Sequence, residues 1–135
     1  MESFLCIDPG PKYSGIAVFE NGIIVYAGKD LSLDILKSKW MCKTVLIEKI
    51  EARGMIAGNS VIDTAIMCGR FKQEFLSRKS HVVFVERRQV LNELKCKGDL
   101  AVIKTLRPMI MKHDGVEIKD DAWQAAALYY AYKDE

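Results

Sequence analysis

The chain has 135 residues, half of them hydrophobic, and a formal net charge of +2, which suits one domain spanning residues 1–135 with a full core. So slight an excess of positive charge excludes a polycation and turns attention to local basic patches. No apolar run is long enough to span a bilayer and no secretory leader is read, so a cytoplasmic protein is expected. Cys6, Cys42, Cys68 and Cys96 are scattered without a CxxC pair. A zinc site or disulfide framework is therefore not expected, and they read as small buried hydrophobes in a reducing compartment.

Phe4 to Ile7 is a short apolar run of the kind that forms a strand buried on both faces, and Pro9, Gly10 and Pro11 end it. Gly15 to Glu20 predicts a second strand. Asn21–Gly22 is a strong hairpin signal, and Ile23 to Ala27 predicts the returning third strand. Leu31 to Lys39, apolar at Leu31, Ile35 and Leu36, predicts a short helix. Thr44 to Glu48 predicts a fourth strand, followed by the loop "KIEARGMIAGNS". Asn59 or Ser60 can cap the next helix, Ser60 with Asp63 making an approximate capping box. That helix runs to about Arg78, with Ile62, Ile66, Gly69 and Leu76 near one face. Val82 to Val85 predicts a fifth strand and Gln89 to Lys95 a helical piece broken at Gly98. Asp99 can cap a helix reaching about Met111, broken or kinked at Pro108. Lys119 to Lys133 predicts the last helix. Three antiparallel strands followed by strands alternating with helices imply a mixed α/β sheet with helices on both faces.

Two carboxylates, Asp8 and Glu48, each close an apolar strand, where sites form in open α/β sheets. If those strands are parallel neighbours, the two acids meet at a cost in free energy, which a divalent cation removes. Oxygen-ligated Mg²⁺ suits such a place. Asp8 also reads as a turn residue before Pro9, and Glu48 as a surface residue at a strand end. The third acidic position is in "IKDDAWQAAALYYAYK", a helix apolar nearly all round and therefore buried. Asp120 and Asp121 stand at its head with Gln124 a turn later. One of the aspartates is accounted for as a helix cap; two together suggest a bound cation.

The segments "IDPG…SGIAV", "VLIEKI", "CGRF" and "DDAWQAAAL" together resemble the RuvC-type Holliday junction resolvases of the RNase H-like superfamily, especially the short bacteriophage versions. The likeness spans most of the chain in the same order of elements. It implies an RNase H-like fold and a metal-dependent endonuclease that resolves four-way DNA junctions. The family's acids fall on Asp8, Glu48 and Asp121. Its last aspartate falls on Gln124, a departure that leaves a neutral carbonyl oxygen, with Asp120 able to supply the lost charge. A lysine usual after the glycine is also displaced: Leu100, Ala101 and Val102 stand there and Lys104 comes later.

The resemblance implies two Mg²⁺ ions, or Mn²⁺ in their place, roughly 3.5–4 Å apart. Asp8 would bridge them, Glu48 and Asp121 would hold one each, and Asp120 or Gln124 would complete a shell. It implies 5′-phosphate products and a homodimer through the helix Asn59 to Arg78. Phosphate contacts are expected from Lys12, Lys49, Arg53, Arg87, Arg88, Lys95, Lys97 and Lys104, with Met55 and Ile56 as candidate wedges. Competing readings are a branched-DNA-binding protein that cuts poorly, because Gln124 replaces a carboxylate, and a related nuclease acting on RNA or RNA–DNA hybrids. An actin-like or sugar-kinase-like fragment would need a second half that 135 residues do not supply.

Overall fold

The computed structural model describes residues 2–50 and 58–133. The strands are β1 (Ser3–Asp8), β2 (Tyr13–Glu20), β3 (Ile23–Leu31), β4 (Thr44–Lys49) and β5 (His81–Glu86). The helices are α1 (Ser32–Lys37), α2 (Asn59–Ser77), α3 (Arg87–Glu93), α4 (Asp99–Leu106) and α5 (Asp120–Lys133). The sheet runs β3-β2-β1-β4-β5. β1, β2 and β3 pair antiparallel, and β4 and β5 continue parallel to β1. Asn21 and Gly22 both take positive φ, 51° and 83°, as a two-residue hairpin turn with right-handed strand twist requires.

Alternation along the strands divides the core in two. Phe4, Cys6, Ala17, Phe19 and Leu46 face α3, α4 and α5. Leu5, Ile7, Ile16, Val18, Val45 and Ile47 face α1 and α2. Because both faces are covered, β1 and β4 read as continuous apolar runs. Every residue of α5 from Ala122 to Ala131 is buried. Its alanines let it lie close on β1 and β2, while Tyr129 stacks on Phe19 with ring centroids 4.1 Å apart.

Several local expectations change. β3 extends to Leu31, because Lys29 and Asp30 still pair with β2 although their polarity breaks the apolar pattern. The N-cap of α2 is Gly58 and no side chain caps it, so the Asn59 or Ser60 cap and the capping box are not formed. The buried stripe of α2 is Thr64, Met67, Cys68, Phe71 and Phe75; Ile62, Ile66 and Leu76 point to water. Two phenylalanines four apart bury more apolar surface than the aliphatic stripe does, and they decide which face turns inward. Helix α4 stops at Leu106 rather than Met111, consistent with Pro108 having no N–H to continue the ladder. The chain beyond it bridges to β3, with Ile24 N–H donating to the Met111 carbonyl at 2.9 Å and His113 N–H to the Ile24 carbonyl at 3.0 Å. That bridge covers part of the sheet's outer edge.

Candidate active site

The site is a row across the sheet. Asp8 pairs with Gly15, and Gly15 with Lys29. Ile7 pairs with Ile47, so the next residues, Asp8 and Glu48, stand side by side at the same end of neighbouring parallel strands. Paired strand residues share a face, and this row continues the side that carries Cys6, Ala17 and Leu46. The head of α5 closes over it. A Cβ added to Gly15 would lie 2.3 Å from the Asp121 carbonyl oxygen and 2.8 Å from the Asp121 Cβ, so only glycine lets the third carboxylate approach.

The turn after Asp8 is held by two buried serines. Gly10 N–H donates to Ser14 Oγ at 3.1 Å. Ser14 and Ser32 share a hydroxyl hydrogen bond of 2.7 Å, and Ser32 Oγ donates to the Gly10 carbonyl at 2.8 Å. A side chain at Gly10 would collide with the Tyr13 carbonyl, 2.1 Å from its Cβ. Pro9–Lys12 is therefore a tight platform beside the carboxylates.

Asp8 is pushed up to about 8. Burial is the largest cause, followed by the negative charges of Glu48 and Asp121, while Arg87 opposes them and a hydrogen bond with Glu48 adds to the rise. The pair thus holds a proton between strands β1 and β4 at neutral pH. Arg87 begins α3 immediately after β5, and its guanidinium lies 3.5 Å from Glu48 Oε1 while also binding Asp99. Lys29 Nζ lies 3.2 Å from Asp121 Oδ2. Gln124 is buried; its Nε2 donates to the Asp99 carbonyl at 3.4 Å, and its Oε1 has no hydrogen-bond partner among the described residues.

A buried amide oxygen without a donor is costly, and an amide oxygen and carboxylates are the kind of oxygen donors a hard divalent cation takes. The residues fit such an ion chemically. Among the described residues, however, no three acidic, histidine or cysteine side chains are close enough together to hold one. The tight pair is Asp8–Glu48, and Asp121 is drawn to Lys29.

Of the residues the sequence singled out, Asp8 and Glu48 lie side by side, Asp121 is near enough to raise Asp8 but is turned to Lys29, and Gln124 is one turn along α5 from Asp121. Asp120 is the first residue of α5. Lys12, Arg88, Lys95, Lys97 and Lys104 are exposed. Lys49 is paired with Glu86 at 3.8 Å. Arg87 is not a free surface cation but a half-buried tie between Glu48 and Asp99. Arg53, Met55 and Ile56 lie outside the described residues. Sequence reasoning missed Lys29 and Gly15, whose places depend on strand register. Cys6, Cys42 and Cys68 are buried and their thiols raised, Cys42 and Cys68 to about 11, chiefly by burial.

No family model and no curated protein matches the chain. Two solved structures of Thermus thermophilus RuvC do. One, in complex with Holliday junction substrate, matches at TM-score 0.70 and 13% identity, over 98% of this chain and 93% of that one. The other matches at TM-score 0.71 and 12% identity, over 97% and 93%. The likeness is one of fold: the chain has the RuvC fold, a mixed five-stranded RNase H-like sheet flanked by helices.

Proposed function

We propose that this chain is a divalent-metal-dependent endonuclease that cuts branched DNA, with the four-way junction as its substrate class. One observation carries the reading. Asp8 and Glu48 stand side by side at one end of a RuvC-type sheet, and the head of α5 carries Asp121 over Gly15 to the same end. The RuvC structure with a junction substrate supports the choice of DNA.

Asp8, Glu48 and Asp121 would hold Mg²⁺, or Mn²⁺ in its place, with the Gln124 carbonyl and Asp120 completing the donor set. When bound, two such ions neutralise the scissile phosphate and lower the pKa of water. Asp8 stands on the central strand between Glu48 and the Gly15 that Asp121 covers, and would contribute a ligand to the metal. It must first release the proton it holds with Glu48. Arg87 keeps the Glu48 carboxylate oriented while that proton leaves. The serine-braced turn keeps the backbone next to Asp8 low, leaving room for a phosphate. Exposed Lys12, Arg88, Lys97 and Lys104, with Lys49, supply backbone contacts along the strand.

A homodimer suits a two-fold substrate. The outward face of α2 supports one: Ile62, Ile66 and Leu76 are 45% to 58% exposed, and a groove there is lined by Leu36, Ile66, Gly69 and Gln73. Two subunits joined on this face would cut the junction in pairs.

The test is cleavage of a labelled four-way junction in Mg²⁺ or Mn²⁺. Asp8→Asn is expected to lower cutting by about 10³-fold, the scale of a lost catalytic group, while junction binding stays within about twofold. Undiminished cutting by Asp8→Asn sinks the assignment. A second reading, a junction binder that cuts poorly, is favoured by Gln124 alone, which brings no negative charge; binding without cleavage in both metals would select it.

A further inference from the structure

We propose that Tyr13, with Lys12 and Lys29 beside it, is a stacking platform that receives one unpaired base of the DNA strand next to the phosphate being cut. The proposal rests on the nuclease reading above and adds a positioning residue to it.

Tyr13 opens β2, directly after the turn that follows Asp8, and 46% of it is exposed. It stands two residues from Gly15, on the same face of the strand, so it borders the place where Asp121 closes over the sheet. Its strand partner is Leu31, which is 37% exposed. An aromatic and an aliphatic side chain thus form an apolar shoulder at the rim of a polar site. Lys12 Nζ and Lys29 Nζ lie 5.6 and 5.9 Å from the Tyr13 ring centroid.

Lys29 has two partners, the ring and the Asp121 carboxylate oxygen at 3.2 Å. Ring and carboxylate are therefore separated by no more than the sum of 3.2 and 5.9 Å. In a strand that rises ~3.4 Å per stacked nucleotide, that distance spans only a few steps. A base on Tyr13 belongs to a nucleotide close to any phosphate held at Asp8 and Asp121.

Magnitudes favour the base over the lysines as occupant of the ring. An exposed ammonium–ring contact shifts an equilibrium only a few-fold, whereas a stacked base contributes roughly tenfold or more. Once displaced, both ammoniums remain within reach of the flanking phosphates. A base inside a duplex has both faces covered by its neighbours. The platform therefore selects DNA with an unstacked base, as a branch point supplies, over continuous duplex.

The experiment uses the full chain and a four-way junction carrying 2-aminopurine at successive positions near the crossover. Binding of the parent is expected to change the fluorescence at one of these positions. Tyr13→Phe keeps the change and binds within about twofold of the parent; Tyr13→Ala loses it and binds roughly tenfold more weakly. In a salt titration, Lys29→Gln is expected to reduce the slope of log K against log salt by about 0.7–0.9, one phosphate contact. Tyr13→Ala with parental affinity and fluorescence overturns the platform while leaving the nuclease reading intact. A parent that binds no branched DNA overturns both.

Discussion

Asp8 is the residue on which the electrostatics turn. Its carboxyl is raised from 3.8 to about 8, first by burial and then by Glu48 and Asp121. Between those pH values the folded chain keeps a proton that the unfolded chain has lost, so fewer protons are bound on unfolding. This contribution to stability is complete below about pH 3.8 and is lost as pH rises through about 8. In EDTA, denaturant midpoints are therefore expected to fall from pH 5 to pH 8, and Asp8→Asn is expected to flatten that slope. An unchanged slope in Asp8→Asn would place the titration elsewhere. Arg87 works in the opposite direction on the same proton. Arg87→Met leaves Glu48 without its nearby guanidinium and costs about 2 kcal/mol, between the values for exposed and buried ion pairs. On the nuclease reading it also moves the pH of half-maximal cleavage upward, since Asp8 then ionises later. Arg87→Lys rescues only part, because one ammonium cannot fork between Glu48 and Asp99. A pH–rate profile of the two variants separates this from a purely structural loss, which would lower the rate without moving the profile.

At the scale of elements, the site is a product of how α5 lies on the sheet. The helix is buried along Ala122 to Ala131, and its first turn reaches the carboxylates only by passing over Gly15. A methyl at that position would meet backbone atoms of Asp121 at 2.3 and 2.6 Å, which no change of rotamer relieves. Gly15→Ala is expected to destabilise the fold by about 1–3 kcal/mol, the usual cost of overpacking. On the nuclease reading it is also expected to weaken Mg²⁺ binding by pushing Asp121 out of the row. A thermal melt with a metal titration checks both, and parental behaviour in each would show that α5 has room to shift. The turn Pro9–Lys12 is a second such device. Its serines come from β2 and the start of α1, so α1 braces the site although it packs on the other face of the sheet.

At the scale of the molecule, the two faces of the sheet divide the labour. One side brings Asp121, Gln124, Arg87 and Asp99 to the carboxylates through α3, α4 and α5. The other leaves the outward face of α2 available for a second copy. On the dimer reading, Ile66→Glu is expected to convert a dimer into a monomer in sedimentation while the thermal midpoint changes little, because Ile66 is 58% exposed in one chain. A monomeric parent would remove the paired cut from the proposal without touching the chemistry of one site.

The sequence alone determined the order of the elements and the positions at which acids stand near their ends. Apolar runs ended by Asp8 and Glu48, the Asn21–Gly22 turn, and an apolar helix headed by Asp120 and Asp121 are local patterns, set by strand burial, turn geometry and helix periodicity. Those signals lie within a few residues of each other and survive without any tertiary knowledge. Only the tertiary structure decided that Lys29 joins Asp121 and that Arg87 ties Glu48 to Asp99. It also turned Phe71 and Phe75 inward while leaving Ile66 in water, and left Gln124 Oε1 without a donor. Each depends on strand register or on competition between two apolar stripes of one helix, quantities fixed by what packs opposite. A register shift of a single residue sends every side chain to the other face, and nothing within a strand's own few residues specifies what it will find there.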